Sequence, residues 1–350
     1  MERLDTPLPE LLRAAVRELD FAATADSQQA GRSVGVHPSL DLAVVAFPPG
    51  RAPLWANVLF SREHPAGVVA EIDSRAGPVR NVRFDADITD TQGDSVAWAP
   101  GADWQQLPWR PLAGAGATRF VAPYPASLLK LMVAVGVGLA VDRGLTAWPA
   151  ALEPMIVVSD NDATDTCVAL LHRTGVIGDL NRRFADLGLA TLQLNDTTPA
   201  GGWRNRDGSG VGHIHMTAWD TARLLWLLDA DAPAAPWLPP GTVLLSPASR
   251  EHLRGVLARQ QLDHILSSGS LKAVAGLVSG LPDAPAFAHK TGNTQNYSSD
   301  AGIVKSGRTH YIVALLSNLG SRYAPDVRCA TTWRLPMLGA ALHRLMETLS

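Results

Sequence analysis

Three short segments of this 350-residue chain carry side chains that could do chemistry together: Ser127-Leu128-Leu129-Lys130, Ser159-Asp160-Asn161 and Lys290-Thr291-Gly292. A serine hydroxyl is a poor nucleophile until a base takes its proton. On a helix, positions i and i+3 share a face, so Lys130 can place its amine beside the hydroxyl of Ser127 at a helix start. A lysine in a dry pocket near a second cation has a lowered pKa and can act as that base, and Lys290 could supply the second cation. Ser159 could relay a proton to a leaving nitrogen or oxygen. A helix start also offers free N–H groups and partial positive charge where an oxyanion would form. Each segment has an ordinary reading when taken alone. Ser127 could be a helix cap beside a solvated Lys130, Ser159-Asp160-Asn161 a turn and cap, and Lys290-Thr291-Gly292 a strand end entering a turn. The three together, in this order, favour a catalytic set.

The elements that must position them follow from apolar spacing. Residues 126–143 read as a helix apolar on most faces, hence buried, ending at Gly144. Further helices are expected over 9–23, 162–172, 217–228 with Thr217 as N-cap, 247–266 with Ser246 as N-cap, and 331–348. Strands are expected over 42–47, 54–60, 67–72, 286–290, 299–304 and 310–317. Residues 74–116, rich in Asp, Gly, Pro and Trp, read as a strand-and-loop insertion with strand-like 82–84 and 95–98. This order of helix, strands, helices, strands and helix suits a sheet assembled from both chain ends with a helical region inserted between them. The expected fold is α+β, an α/β sandwich. Residues 1–125 and 270–350 form the α/β part, and 126–269 form the helical part that carries the first two motifs.

The three motifs, in this order, resemble the S-x-x-K, S-D-N and K-T-G set of class A β-lactamases and penicillin-binding proteins. Phe120 and Tyr124-Pro125-Ala126 ahead of Ser127, Glu153 to Val158 ahead of Ser159, Met216-Thr217-Ala218, and Leu281-Pro282 ahead of Lys290 extend the resemblance over roughly residues 35–348. It implies a β-lactamase/transpeptidase-like fold and an antiparallel sheet flanked by helices. It also implies a serine hydrolase that acts through an acyl-enzyme at Ser127, with Lys130, Ser159 and Lys290 catalytic. Asn161, Thr291, Gly292 and Asn293 would then contact substrate, and the N–H groups of Ser127 and Asn293 would form the oxyanion hole.

Two departures from that family stand out. Ser127 and Ser159 are only 32 residues apart, a considerably shorter stretch than in the usual class A enzyme. The omega-loop E-x-x-L-N segment, whose Glu activates the deacylating water, has only the look-alike Thr191-Leu192-Gln193-Leu194-Asn195, with Thr in place of Glu. Asp196 and Asp207 are nearby carboxylates that could substitute, and His213 and His215 are further bases. Acylation without this Glu would leave a slowly hydrolysed adduct. The alternatives to a β-lactamase are therefore a penicillin-binding-protein-like peptidase or esterase, and a non-catalytic β-lactam- or peptide-binding sensor.

Composition narrows the field of partners. The formal net charge is −3, 46% of residues are hydrophobic, and no Lys/Arg run stands out, so a nucleic-acid or membrane partner has no footprint and a small-molecule or peptide substrate is expected. Cys167 and Cys329 have no Cys or His at ligand spacing, so no metal or cofactor is expected. The opening residues Met1 to Pro7 lack the basic start and apolar stretch of a secretory leader. The expectation is a cytoplasmic location, or a periplasmic or secreted one if a leader has been removed.

Overall fold

A computed structural model describes residues 6–90, 95–99, 102–107, 109–203, 213–269, 280–323 and 330–350, with 330–333 in backbone only. Helix α1 (Leu8–Arg17) opens the described chain. It is shorter than the apolar spacing suggests, because Asp20 adopts a left-handed backbone (φ 44°) and diverts the chain into a 3-10 turn at Phe21–Ala23. Strands β1 (Leu40–Ala46), β2 (Leu54–Phe60) and β3 (Val68–Val69) follow. Of the expected strand over 67–72, only the two residues of β3 are strand.

Residues 74–116 do more than insert. Strands β4 (Val82–Ala86) and β5 (Arg110–Ala113) join β6 (Thr118–Ala122) in a small sheet, with β4 central and parallel to β6. That sheet delivers the chain to Ser127. Residues 95–98 are not a strand: Ser95 makes one isolated bridge to Thr89 and the chain then turns.

The helical region comprises α2 (Lys130–Asp142), α3 (Leu152–Val157), α4 (Asn161–Arg173) and α5 (Ile177–Asp186). The short ladder of β7 (Gln193–Leu194) and β8 (Ile214–His215) comes next, then α6 (Ala218–Leu228) and α7 (Pro247–Leu257). Thr217 and Ser246 cap α6 and α7, their hydroxyls accepting from Asp220 N and Ser249 N. Helix α7 stops at Leu257 and does not reach 266, because residues 260–267 leave the helix to bond the back of the main sheet.

Strands β9 (Phe287–Asn293), β10 (Ser298–Ser306) and β11 (Thr309–Ser317) complete that sheet, and α8 (Ala330–Leu349) ends the chain. The order β9-β10-β11-β1-β2-β3 is antiparallel throughout, so both chain ends build one sheet. It is covered on both faces. Ala43 and Val45 of β1 pack with α2, α4 and α6, whereas Leu42, Val44 and Ala46 pack with α1 and α8. That is why β1 reads as a continuous apolar run and not an alternating one. Every residue of α2 from Lys130 to Ala140 is buried, as expected of a helix apolar all round. Among the described residues no helix is long and apolar enough to cross a membrane.

Candidate active site

Ser127 sits in a 3-10 turn, Ala126–Leu129, that runs directly into α2. Ala126 is left-handed (φ 51°), a conformation that non-glycine residues adopt at a cost of roughly 1 kcal/mol and that sharpens the turn. Leu128 N donates to Pro125 O at 3.2 Å. Ser127 is half-buried, and among the described residues its hydroxyl and N–H have no hydrogen-bond partner. Strand β9 presses against this turn. A Cβ on Gly292 would lie 2.4 Å from Pro125 O, 2.4 Å from Ser299 Oγ and 2.7 Å from Leu128 N. Only glycine lets the strand come so near the nucleophile. Ser299, paired with Gly292 across the ladder, donates its hydroxyl to Pro125 O and fastens the turn to the sheet. Sequence reasoning missed Ser299, whose only signal is its register opposite Gly292.

The two lysines meet at the second motif. Lys130 Nζ lies 2.6 Å from Ser159 O, 2.8 Å from Asn161 Oδ1, 3.1 Å from Ser159 Oγ and 3.3 Å from Asp160 O. Lys290 Nζ lies 3.0 Å from the same Ser159 Oγ and 2.6 Å from Thr291 O. The expected pairing of Lys130 with Ser127 along one helix face is not formed. The α-helix begins at Lys130, and the amine is taken up instead by the four oxygens of residues 159–161. Ser159 is itself left-handed (φ 57°), and Asp160 caps α4 by accepting from Ala163 N at 2.7 Å. The tripeptide is therefore both a helix cap and the meeting point of the lysines. The short link from Ser127, containing only α3 between α2 and Ser159, still brings the hydroxyl there.

Electrostatics follow from burial. Lys130 is 2% exposed and Lys290 is 0% exposed. Burial lowers Lys130 to about 8, partly offset by Asp160 and Asp165. Burial, and then repulsion from Lys130, hold Lys290 well below the usual lysine range, with Asp300 opposing. The pair gives up its first proton far more readily than free lysines would.

Of the remaining candidates, Thr291 and Gly292 are buried and Asn293 is exposed, its Oδ1 accepting from Ser298 Oγ at 3.1 Å. Asp196, left-handed at φ 53°, pairs with His213 Nδ1 at 2.5 Å, and Arg110 lies 3.0 Å from that same nitrogen. Asp207 lies outside the described residues. Thr191 points into a buried network, with its N and Oγ1 at 3.0 and 2.7 Å from Asp220 Oδ2 and Oγ1 at 2.8 Å from Thr217 Oγ1. Burial lowers His215 to about 4, with Arg110 and His213 adding to the effect, so it is neutral at neutral pH. Cys167 is a free, buried thiol.

Comparison with known proteins bears on this arrangement. No curated protein sequence matches the chain. Among solved structures, a beta-lactamase from Sphaerobacter thermophilus is similar at 15% identity and TM-score 0.54, over 97% of this chain and 98% of that one. PBP-A is similar at 17% identity and TM-score 0.52, over 99% of this chain and 100% of its own. A class A beta-lactamase from Bacteroides cellulosilyticus is similar at 12% identity and TM-score 0.51, over 97% and 100%. At these identities the likeness is one of fold, and it is the β-lactamase/transpeptidase-like fold the motifs imply. A family model, described as the beta-lactamase enzyme family, matches residues 146–331, which include the second and third motifs and begin after the first. By that match over more than half its length, the chain belongs to the beta-lactamase enzyme family.

Proposed function

We propose that this protein is a serine hydrolase that acylates Ser127 with a β-lactam or a related amide or ester. The observation that carries the reading is the hydroxyl of Ser159 held between the amines of Lys130 and Lys290. A neutral Lys130 would be the base for the Ser127 proton, taken up as the amine turns from Ser159 toward Ser127 on substrate binding. The Ser127 oxygen adds to the carbonyl carbon, and negative charge develops on the carbonyl oxygen near the Ser127 N–H. Collapse breaks the carbon–nitrogen bond. The proton taken from Ser127 passes through Lys130 and Ser159 to the leaving nitrogen. β9 is the edge strand of its sheet, so its outer backbone can pair with an extended amide substrate. Asn161, Thr291 and Asn293 would border that substrate.

A second reading concerns turnover. Thr191, where the family's deacylating Glu is expected, is tied into the buried network with Asp220 and Thr217. This favours an acyl-enzyme that persists, as in a penicillin-binding-type peptidase or esterase. A mutant of PBP-A, 18% identical with TM-score 0.51 over 99% of this chain and 100% of its own, was solved as an acyl-enzyme complex with penicillin G. Nitrocefin turnover, followed with adduct mass over time, separates the two readings. An adduct that decays as product accumulates identifies a β-lactamase with another base, and one that persists identifies the peptidase or esterase reading. Absence of any adduct with penicillins, nitrocefin and activated esters would contradict both.

A further inference from the structure

Directly behind the lysine pair, across the sheet, lies a group of charges that the chemistry above does not use. Side chains alternate along β9. Ala288 therefore packs on the helical side with α2 and α4, whereas Phe287 belongs to the core beneath α1 and α8. His289 shares the face of Phe287, on which its ring stacks at 4.0 Å between centroids. His289 is fully buried. Its Nδ1 lies 2.7 Å from Asp300 Oδ1 and its Nε2 lies 2.8 Å from Asp263 Oδ1.

A neutral imidazole has one N–H and can donate to only one of these carboxylates, whereas an imidazolium donates to both. Burial alone would favour the neutral ring, but Asp300 and Asp263 outweigh it and raise the pKa to about 9. The triad then holds two negative charges and one positive charge. Both carboxylates are engaged elsewhere as well: Asp300 Oδ2 accepts from Leu266 N at 3.0 Å, and Asp263 Oδ1, the oxygen that faces Nε2, also accepts from Ser267 Oγ at 3.1 Å. Gln260 Nε2 reaches Ile156 O at 3.0 Å and His289 O at 3.4 Å. Opposite His289 stands Gly302, where a Cβ would lie 2.4 Å from His289 Cβ. The cluster is built around this ring.

We infer that His289, held between Asp263 and Asp300, is a positioning unit for Lys290, fixing the third motif's backbone from behind and supplying the negative field in which Lys290 carries its charge. The inference rests on the reading of Ser127 and Lys130 given above. Among the described residues, Asp283 stands close to Asp263, since a Cβ on Gly269 would lie 2.5 Å from Asp283 Oδ1 and 3.1 Å from Asp263 Cβ. Lys290 feels Lys130 and Asp300, and Lys130 feels Asp160 and Asp165. His264, held below its usual range by burial, feels Asp300, His289, Lys290 and Asp263.

The test is the pH dependence of Ser127 labelling by a fluorophosphonate in the full chain, for wild type, Asp300→Asn and Asp263→Asn. Nitrogen NMR of the His289 ring and the Lys290 amine runs alongside. Removing Asp300's charge lets the lysine pair lose a proton sooner, so the acid limb of the labelling profile moves down by roughly one pH unit. Asp263→Asn moves it less, in the same direction. In wild type at pH 7 both ring nitrogens are protonated. A neutral ring at pH 7 would overturn the proposal. So would a uniform fall in rate for Asp300→Asn with the limb unmoved, which is the mark of a purely structural role. If Asp300→Asn does not fold, the wild-type ring and Asp263→Asn decide. If wild-type Ser127 is not labelled at any pH, the reading of the nucleophile fails. The triad is then judged on the His289 ring and on the Lys290 titration, which shifts down in Asp300→Asn if the inference holds and stays put if it does not.

Discussion

The amines of Lys130 and Lys290, from residues 160 positions apart in sequence, converge on one oxygen, Ser159 Oγ, at 3.1 and 3.0 Å. When the pair holds one proton fewer, the neutral amine can accept the Ser159 hydroxyl proton while the charged amine donates to that same oxygen. In the proposed reaction this oxygen is the path between base and leaving group.

Removing the shared hydroxyl breaks this path without removing either cation. Ser159→Ala is expected to lower the rate of Ser127 acylation by roughly 10²–10⁴-fold, the range for loss of a positioned proton-transfer group. Stopped-flow acylation with nitrocefin measures it. A rate within threefold of wild type would exclude Ser159 from the proton path.

The base must be neutral to act. Lys130, ordinarily near 10.5, is lowered to about 8 by burial, so roughly a tenth of it is neutral at pH 7 if it titrates alone. Acylation is expected to rise about tenfold per pH unit below 8 and flatten above it. A profile that is flat from pH 6 to 9 would contradict a lysine base.

Gly292 is required by contact, not by backbone angle. Gly292→Ala would drive a methyl group into Pro125 O, Ser299 Oγ and Leu128 N. We expect a loss of about 100-fold or more in acylation together with a stability loss of roughly 1–3 kcal/mol. Denaturant unfolding and labelling rates, read on the same preparation, check both.

Away from the site, Asp87 is a buried carboxylate raised to about 7 by desolvation, with the polar groups of Tyr297, Ile88, Ser95 and Asn318 around it acting the other way. Its folded pKa lies above its unfolded value of 3.8. Its stabilising share is therefore fully present below 3.8 and is lost as pH rises through about 7. Asp87→Asn is expected to raise Tm by about 3 °C or more at pH 8 and to leave it nearly unchanged near pH 4. Thermal melts at the two pH values test the sign.

Much of this was legible where one physical signal dominates. The apolar runs of β1 and β2 and the uniformly apolar α2 read correctly because full burial leaves no polar face. Helix α3 escaped notice because six residues are too few to show a period. Helix α5 escaped because it buries only Leu180 and Phe184. The end of α7 depends on residues 260–267 bonding a strand far along the chain, which no local pattern records. In the candidate site, the three motifs stand in the sequence, but the partner of Lys130 does not. Spacing i to i+3 shares a face in a helix or a 3-10 turn alike, but the oxygens that hold the amine stand 29 to 31 positions on, which no local pattern records. The ion triad was hidden for a similar reason, since Asp300 and Asp263 stand 11 and 26 positions from His289.

The central claim, that Ser127 is the acylated nucleophile, is tested most directly by intact-protein and peptide mass after exposure to penicillin G, with Ser127→Ala alongside. The account predicts a single adduct of the antibiotic's mass on wild type, mapped to the peptide containing Ser127, and none on Ser127→Ala. An adduct of equal extent on Ser127→Ala, or one mapped to another residue, would contradict it.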